Sequence, residues 1–227
     1  MKEMTEEPKD LHSIQNLKGV GPKSTSSLNN LGIFSIPDAA FHLPFRYEDR
    51  SFITQIGDAN YQTPVLIEGE IMKSTVVFRG RRMLFSEIYD GTGKLTMRMF
   101  NFAMAQHKAL EEGKMIRCFG TITPGPNGKQ MIHPQYQVFE KEDSIEIEEN
   151  LTPIYPTTSG LQQNKLRKII EASLDFCDKN DIFKEESKNK LYSEYGNLLE
   201  TLKFLHKPPV ETNLNELISG KHPAQQS

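Results

Sequence analysis

The strongest constraint on this chain is a change in the period of its apolar residues. Between residues 11 and 41 they recur at helical spacing, between 64 and 139 they alternate, and from Leu161 helical spacing returns. The alternating part is punctuated by Gly80, by Asp90-Gly91-Thr92-Gly93 and by Pro124-Gly125-Pro126-Asn127-Gly128, which places strands over 65–78, 81–89, 94–102, 115–123 and 130–139. Residues 103–112, closed by Gly113, read as a helix between the third and fourth strands. Three strands, a helix and two more strands is the order of an OB-fold, a small five-stranded barrel that commonly binds single-stranded nucleic acid or oligosaccharide. The expected fold class is therefore α+β: an OB-fold β-barrel with an N-terminal helical layer and a C-terminal helical connector.

The flanks divide by composition. Residues 1–10 are polar and charged with nothing to bury, and read as a frayed terminus. Over 11–61, Ile14 and Leu17 close one short helix and Gly19-Val20-Gly21-Pro22 turns the chain. Leu28 and Leu31 lie on a second helix ended by Gly32, and Pro37-Asp38 opens a third that ends near Leu43-Pro44. The barrel is expected over 62–140. An acidic linker rich in proline and threonine follows over 141–160, since 140–150 alone holds six acids against one lysine. Helical spacing through Leu166, Ile169, Ile170 and Leu174 marks a connector over 161–206, with further helix over 184–205 stopped by Pro208-Pro209. Residues 207–227 make the last segment, of which 221–227 read as a polar end with no cap.

Composition excludes several classes of function. No stretch approaches the roughly 18 to 20 consecutive apolar residues of a membrane helix, and residues 1–10 lack a signal-peptide core, so a soluble cytoplasmic chain is expected. Cys118 and Cys177 stand far apart without any His/Cys cluster, which supports neither a disulfide framework nor a zinc site. There is no GxxxxGK[ST], HExxH, GxSxG or CxxC, and the six histidines are scattered at no ligand spacing. His133-Pro134 reads as a turn or core residue rather than a base. This chain is not expected to catalyse a reaction by itself. Its net charge of −3 hides an asymmetry: residues 65–140 carry 10 basic and 7 acidic side chains, 1–64 carry 6 and 8, and 141–227 carry 11 and 15. A basic middle inside an acidic chain is compatible with a face for polyanions.

Three groups of residues are candidates for binding. Alternation along 94–102 turns Leu95, Met97 and Met99 into the barrel and Thr96, Arg98, Phe100 and Phe102 out of it. Two aromatics beside an arginine suit a nucleic-acid platform, the rings stacking on bases and the guanidinium taking phosphate. Alternatively the following helix covers both phenylalanines as a second small core, Phe102 being nearer to it. Arg79, Arg81 and Arg82 in the hairpin Phe78-Arg79-Gly80-Arg81-Arg82, with Lys73 on the preceding strand, either grip phosphate or are the solvated charges of an ordinary hairpin tip. Gly19, Gly21 and Lys23 have the pattern of a helix-hairpin-helix, whose glycines let backbone amides approach a phosphate. A tight turn packing two helices explains them equally.

Eight segments, in order, resemble the RecG family of bacterial ATP-dependent DNA helicases. They are Leu17-Lys18-Gly19-Val20-Gly21-Pro22-Lys23, His42-Leu43-Pro44-Phe45-Arg46-Tyr47-Glu48-Asp49-Arg50, Gly80-Arg81-Arg82, Asp90-Gly91-Thr92-Gly93, Arg98-Met99-Phe100-Asn101-Phe102, Met131-Ile132-His133-Pro134, Pro153-Ile154-Tyr155-Pro156-Thr157-Thr158 and Leu205-His206-Lys207-Pro208-Pro209. The resemblance covers roughly residues 11–226. It implies the wedge region of such a helicase, which splits the arms of branched DNA while two RecA-like motor domains hydrolyse ATP. By that resemblance Phe100 matches the wedge aromatic that stacks at the junction. Four residues on, where some members have a second stacking aromatic, this chain has Met104, and where relatives pair two phenylalanines it has Met99-Phe100.

His222-Pro223-Ala224-Gln225-Gln226 resembles the lead-in to the first motor domain. The motors, and with them ATP and Mg2+, are therefore expected outside this chain, which itself is expected to carry no cofactor. The expected partner is branched DNA, that is, replication forks and Holliday junctions, met by a monomer in repair and recombination. The alternatives are an OB-fold protein-interaction module and an independent binder of single-stranded DNA.

Overall fold

A computed structural model describes residues 11–143, 145–184 and 196–226, without the side chains of Arg79 and Gln226. The chain divides into two compact units, residues 1–49 with 149–227 and residues 50–148. The first contains the helices. After a 3-10 turn at Ile14–Asn16 come α1 (Pro22–Asn29) and α2 (Ile36–Ala40). Pro22 stands in the first turn of α1, where its missing N–H costs nothing. At the start of α2 the Ser35 hydroxyl accepts from the Asp38 N–H and the Asp38 carboxylate accepts from the Ser35 N–H, a capping box. These elements pack on α4 (Gln163–Lys179), whose buried Leu166, Ile169, Ile170, Leu174 and Cys177 repeat at helical spacing. A buried relay ties α5 (Leu198–His206) to α2: His206 Nε2 donates to the Ala40 carbonyl, which leaves Nδ1 to accept from the Tyr155 hydroxyl, each at 2.8 Å.

Two short strands close this unit. β1 (Arg46–Glu48) pairs antiparallel with β9 (Thr152–Ile154), and the Tyr47 hydroxyl donates to the Leu205 carbonyl at 2.7 Å. The sequence reading missed both strands, treating 152–160 as turn-rich linker, because three residues are too few to show a period. The last residues form two helical turns, α6 (Leu214–Ile218) and α7 (Pro223–Gln226), and Asn213 caps the first of these through its side chain. The expectations for 1–10 and for the helix over 185–195 lie outside the described residues.

The second unit is the barrel, and it begins at Arg50 rather than at 62. β2 (Pro64–Arg79) and β3 (Arg81–Tyr89) make a long hairpin turned at Gly80, whose φ of +74° is open to glycine. β4 (Lys94–Phe100) pairs with β3; after α3 (Met104–Ala109), β5 (Met115–Thr121) pairs with β2. The short β6 (Thr123–Gly125) leads into β7 (Gly128–Ile132) and β8 (Gln135–Phe139). The sheet order is β6-β7-β4-β3-β2-β5-β8. The expected single strand over 130–139 is thus two: His133 takes φ +50° and Pro134 offers no N–H, so the strand breaks. Its halves pair with opposite ends of the sheet, β7 parallel to β4 and β8 antiparallel to β5, which closes the OB barrel. Ile67, Ile71, Leu84, Ile88, Leu95, Met97 and Ile116 fill it, each 0% or 1% exposed.

Candidate nucleic-acid interface

The outer row of β4 carries Thr96, Arg98 and Phe100, while Leu95, Met97 and Met99 face the core, as alternation requires. Register sets Phe100 opposite Met83 and Arg98 opposite Phe85 on β3, and Arg98 beside Ile132 on β7. The Arg98 guanidinium lies 4.8 Å from the Phe100 ring centre and 5.5 Å from that of Phe85, and one of its N–H groups reaches the Met83 sulfur at 3.4 Å. Its Nε is buried without a hydrogen-bond partner. From the hairpin, Arg81 places its guanidinium 3.9 Å above the same Phe100 ring. Among the described residues no carboxylate forms an ion pair with Arg81, Arg82 or Arg98, whereas Arg117 is spent on Glu68 at 2.6 Å. Cations of this kind, held by aromatic faces rather than by acids, keep their fork of donors free for phosphate.

His133 completes the cluster. Its ring is tilted against Phe100 at 5.3 Å between centres, and its Nε2 accepts from the Phe100 N–H at 3.1 Å. Its own N–H donates to the Arg98 carbonyl at 3.0 Å. The broken strand therefore satisfies the end of β4 with a side chain in place of a ladder. Sequence reasoning took His133 for a turn or core residue and missed this role. It also missed Phe85, although Met83, Phe85 and Glu87 share one parity in β3.

Phe102 corrects the expected outer row. It is 5% exposed and belongs to the barrel core, because Asn101 takes φ +51° and resets the alternation after Phe100. Arg82 also lies off the Phe100 face: it donates to the Phe102 carbonyl at 3.1 Å and lies 4.8 Å over the Phe102 ring. Met104 opens α3, 48% exposed, behind an Ala103 N–H that donates to the Gln106 side chain. Lys73 is exposed on β2 opposite Glu87, two residues from Thr75, the register partner of Phe85. Arg79 pairs with Arg81 through the backbone across Gly80, and its side chain lies outside what is described.

Gly19, Gly21 and Lys23 belong to the other unit. Gly19 takes φ +92°, Gly21 is the N-cap of α1 and Lys23 is exposed. The preceding element is a three-residue 3-10 turn instead of a helix, so only half of a helix-hairpin-helix is formed.

Among the described residues no group of histidine, cysteine, aspartate or glutamate could hold a metal, and no helix is long and apolar enough to cross a membrane. The fold and this cluster define a class: an α+β protein whose OB barrel displays an aromatic ring between guanidinium groups that form no ion pair among the described residues.

Comparison with known proteins places it more narrowly. The family model described as the RecG wedge domain matches residues 13–177. ATP-dependent DNA helicase RecG of Escherichia coli K12 is 38% identical over 216 residues, covering 95% of this chain and 31% of that protein. RecG of Haemophilus influenzae Rd is 38% identical over 217 residues, 96% of this chain and 31% of that protein. A solved structure of RecG bound to a three-way DNA junction superposes with a TM-score of 0.74 at 26% identity, covering 95% of this chain and 30% of that one. The chain belongs to the RecG wedge family, and it spans less than a third of the length of these relatives.

Proposed function

We propose that this chain binds branched DNA and parts its strands, acting as the wedge of a RecG-type helicase in repair and recombination. The observation that carries the reading is Phe100, held on an outer barrel face between Arg81 and Arg98, neither of which has an acidic partner among the described residues. An aromatic face stacks on an opened base, and the flanking guanidinium groups take the phosphates on either side. ATP and Mg2+ chemistry belongs, in this reading, to the motor part of the longer relatives. The chain acts in the cytoplasm as a monomer, and the same ring and arginines give it a weaker hold on single-stranded DNA.

Titration of forked, three-way, linear duplex and single-stranded DNA at several salt concentrations tests this. The expected result is tighter binding to forked and three-way DNA than to duplex, with an affinity that falls steeply as salt rises. Equal affinity for fork and blunt duplex refutes it, because phosphate contacts alone cannot distinguish the two. Binding indifferent to salt points instead to an apolar protein interface.

A further inference from the structure

The β2–β3 hairpin has a second face, and its apolar row outruns the core. Val76 packs against the barrel core, and its register partner Leu84 is fully buried. Two residues nearer the tip, about 7 Å along the strand, Phe78 on the same face is 75% exposed. Nothing in the barrel requires a phenylalanine there, and truncating it opens no cavity.

Its register partner is Arg82, which is fixed by the Phe102 carbonyl and ring. A guanidinium has five N–H donors. Arg82 spends one on that carbonyl and, among the described residues, pairs with no carboxylate, so its remaining donors stay available while the first holds the side chain still.

The neighbouring row, Val77, Met83 and Phe100, belongs to the opposite face, where Arg81 covers Phe100. Adjacent rows of one ribbon therefore present an aromatic and an arginine on each side: Phe100 with Arg81, and Phe78 with Arg82. The two rings therefore lie on opposite faces of one ribbon, one sheet thick, as contacts to two parted strands require.

We propose that Phe78 is a second nucleic-acid contact, stacking on an unpaired base of the strand that passes on the side of the hairpin away from Phe100, with Arg82 on the adjoining phosphate. The proposal rests on the branched-DNA reading above and adds a residue and a side to it.

The test uses Phe78→Ala, Phe78→Leu and Phe78→Trp, with Phe100→Ala as the reference. Each is titrated against linear duplex and against forks carrying 2-aminopurine at the first unpaired position of one arm or the other. Phe78→Ala is expected to keep the wild-type melting temperature and lose about five- to 150-fold in fork affinity. It should abolish 2-aminopurine quenching on one arm, and Phe100→Ala should abolish it on the other. Tryptophan should restore binding and leucine should not. Wild-type fork affinity in Phe78→Ala overturns the proposal, as does loss of quenching on the same arm in both alanine variants. Rescue by leucine also overturns it, since that indicates an apolar docking surface. If Phe100→Ala is silent too, the branched-DNA reading fails; if Phe100→Ala loses fork binding while Phe78→Ala does not, only the second contact fails.

Discussion

Replacing Phe100 with alanine separates the platform from the barrel beneath it. Phe100 is half-buried on the outer row, whereas Met99 and Met97 beside it are 4% and 0% exposed. In the free protein the variant loses contacts to Arg81 at 3.9 Å, to Arg98 at 4.8 Å and to His133 at 5.3 Å, without opening the core. At about 0.5–1 kcal/mol for each partly solvated cation–π contact, the loss is about 1–2 kcal/mol. For a domain of about a hundred residues that lowers the melting temperature by roughly 5–10 °C. In the complex the variant also loses the stack on the opened base, about 1–3 kcal/mol, or roughly five- to 150-fold in affinity for forks, with linear duplex little changed. Met99→Ala is the counterpart. It opens a cavity worth about 2–5 kcal/mol and should melt lower than Phe100→Ala, with unaltered fork preference in the molecules that remain folded. Thermal melts and anisotropy titrations on fork and duplex, run on both variants at one salt concentration, give every quantity compared. If Phe100→Ala melts as low as Met99→Ala, or loses fork and duplex affinity by the same factor, Phe100 is a packing residue and the platform is refuted.

Three further outcomes are expected. A Cβ at Gly69 would lie 2.8 Å from both the Tyr89 carbonyl oxygen and Ile88 Cγ2, so Gly69→Ala should force β2 and β3 apart and lower barrel stability by about 1–3 kcal/mol in a denaturant melt. Burial alone would raise the Asp90 carboxyl, but hydrogen bonds from Ile56, Thr92 and Gly93 outweigh it and hold the carboxyl below its ordinary value. Its stabilisation is therefore complete above the usual carboxylate range and lost as pH falls through the lowered folded-state value, and Asp90→Ala should melt lower at pH 7, with a deficit that shrinks as the pH is taken down into the acid range. Burial also lowers His206 to about 4. The unfolded chain then binds the extra proton between about pH 6.5 and 4, so the helical unit should lose up to about 3 kcal/mol as pH falls across that window, and His206→Gln should flatten this part of the melting profile.

The barrel was legible because its information is local. Period-two alternation, the glycine at 80 and the aspartate–glycine turn at 90–93 placed β3 exactly and β4 to within its last two residues. What alternation cannot carry past a break was lost. Asn101 and His133 both take positive φ as non-glycine residues, and each reset the count of faces, sending Phe102 into the core and dividing 130–139 between two edges of the sheet. Neither residue type announces that conformation. β1 and β9 escaped for a different reason: they are paired across more than a hundred residues, and their stability comes from each other and from Tyr47 packing with Leu151 and Leu205. The site was legible to the extent that it lies on one strand. Arg98 and Phe100 stand two apart and share a face by arithmetic, but Arg81, Phe85 and His133 join them only through register, which single-sequence patterns do not fix.

On the proposed reading, the Phe100 cluster also explains how a chain of net charge −3 would offer a face to a polyanion. Four other basic groups of the barrel are consumed: Lys114 by Glu111 and Glu140, Arg117 by Glu68, Lys141 by Glu70, and Lys129 by the carbonyls of Ile56 and Gly57. Arg81 and Arg98 are satisfied by rings instead. A ring holds a guanidinium in place at small cost to its hydrogen-bonding capacity, so the charge stays unspent yet ordered. Arg81 lies over a face of Phe100, and a base stacking on that face would have to move it. That displacement costs about 0.5–1 kcal/mol and releases a cation beside the incoming nucleotide, where a charge-assisted bond to phosphate is worth about 1.5–3 kcal/mol. On the proposed reading the exchange is favourable only when base and phosphate arrive together. A blunt duplex offers phosphates without an accessible base face and would leave Arg81 where it is, so the pairing of ring and arginine would itself discriminate a junction from plain duplex.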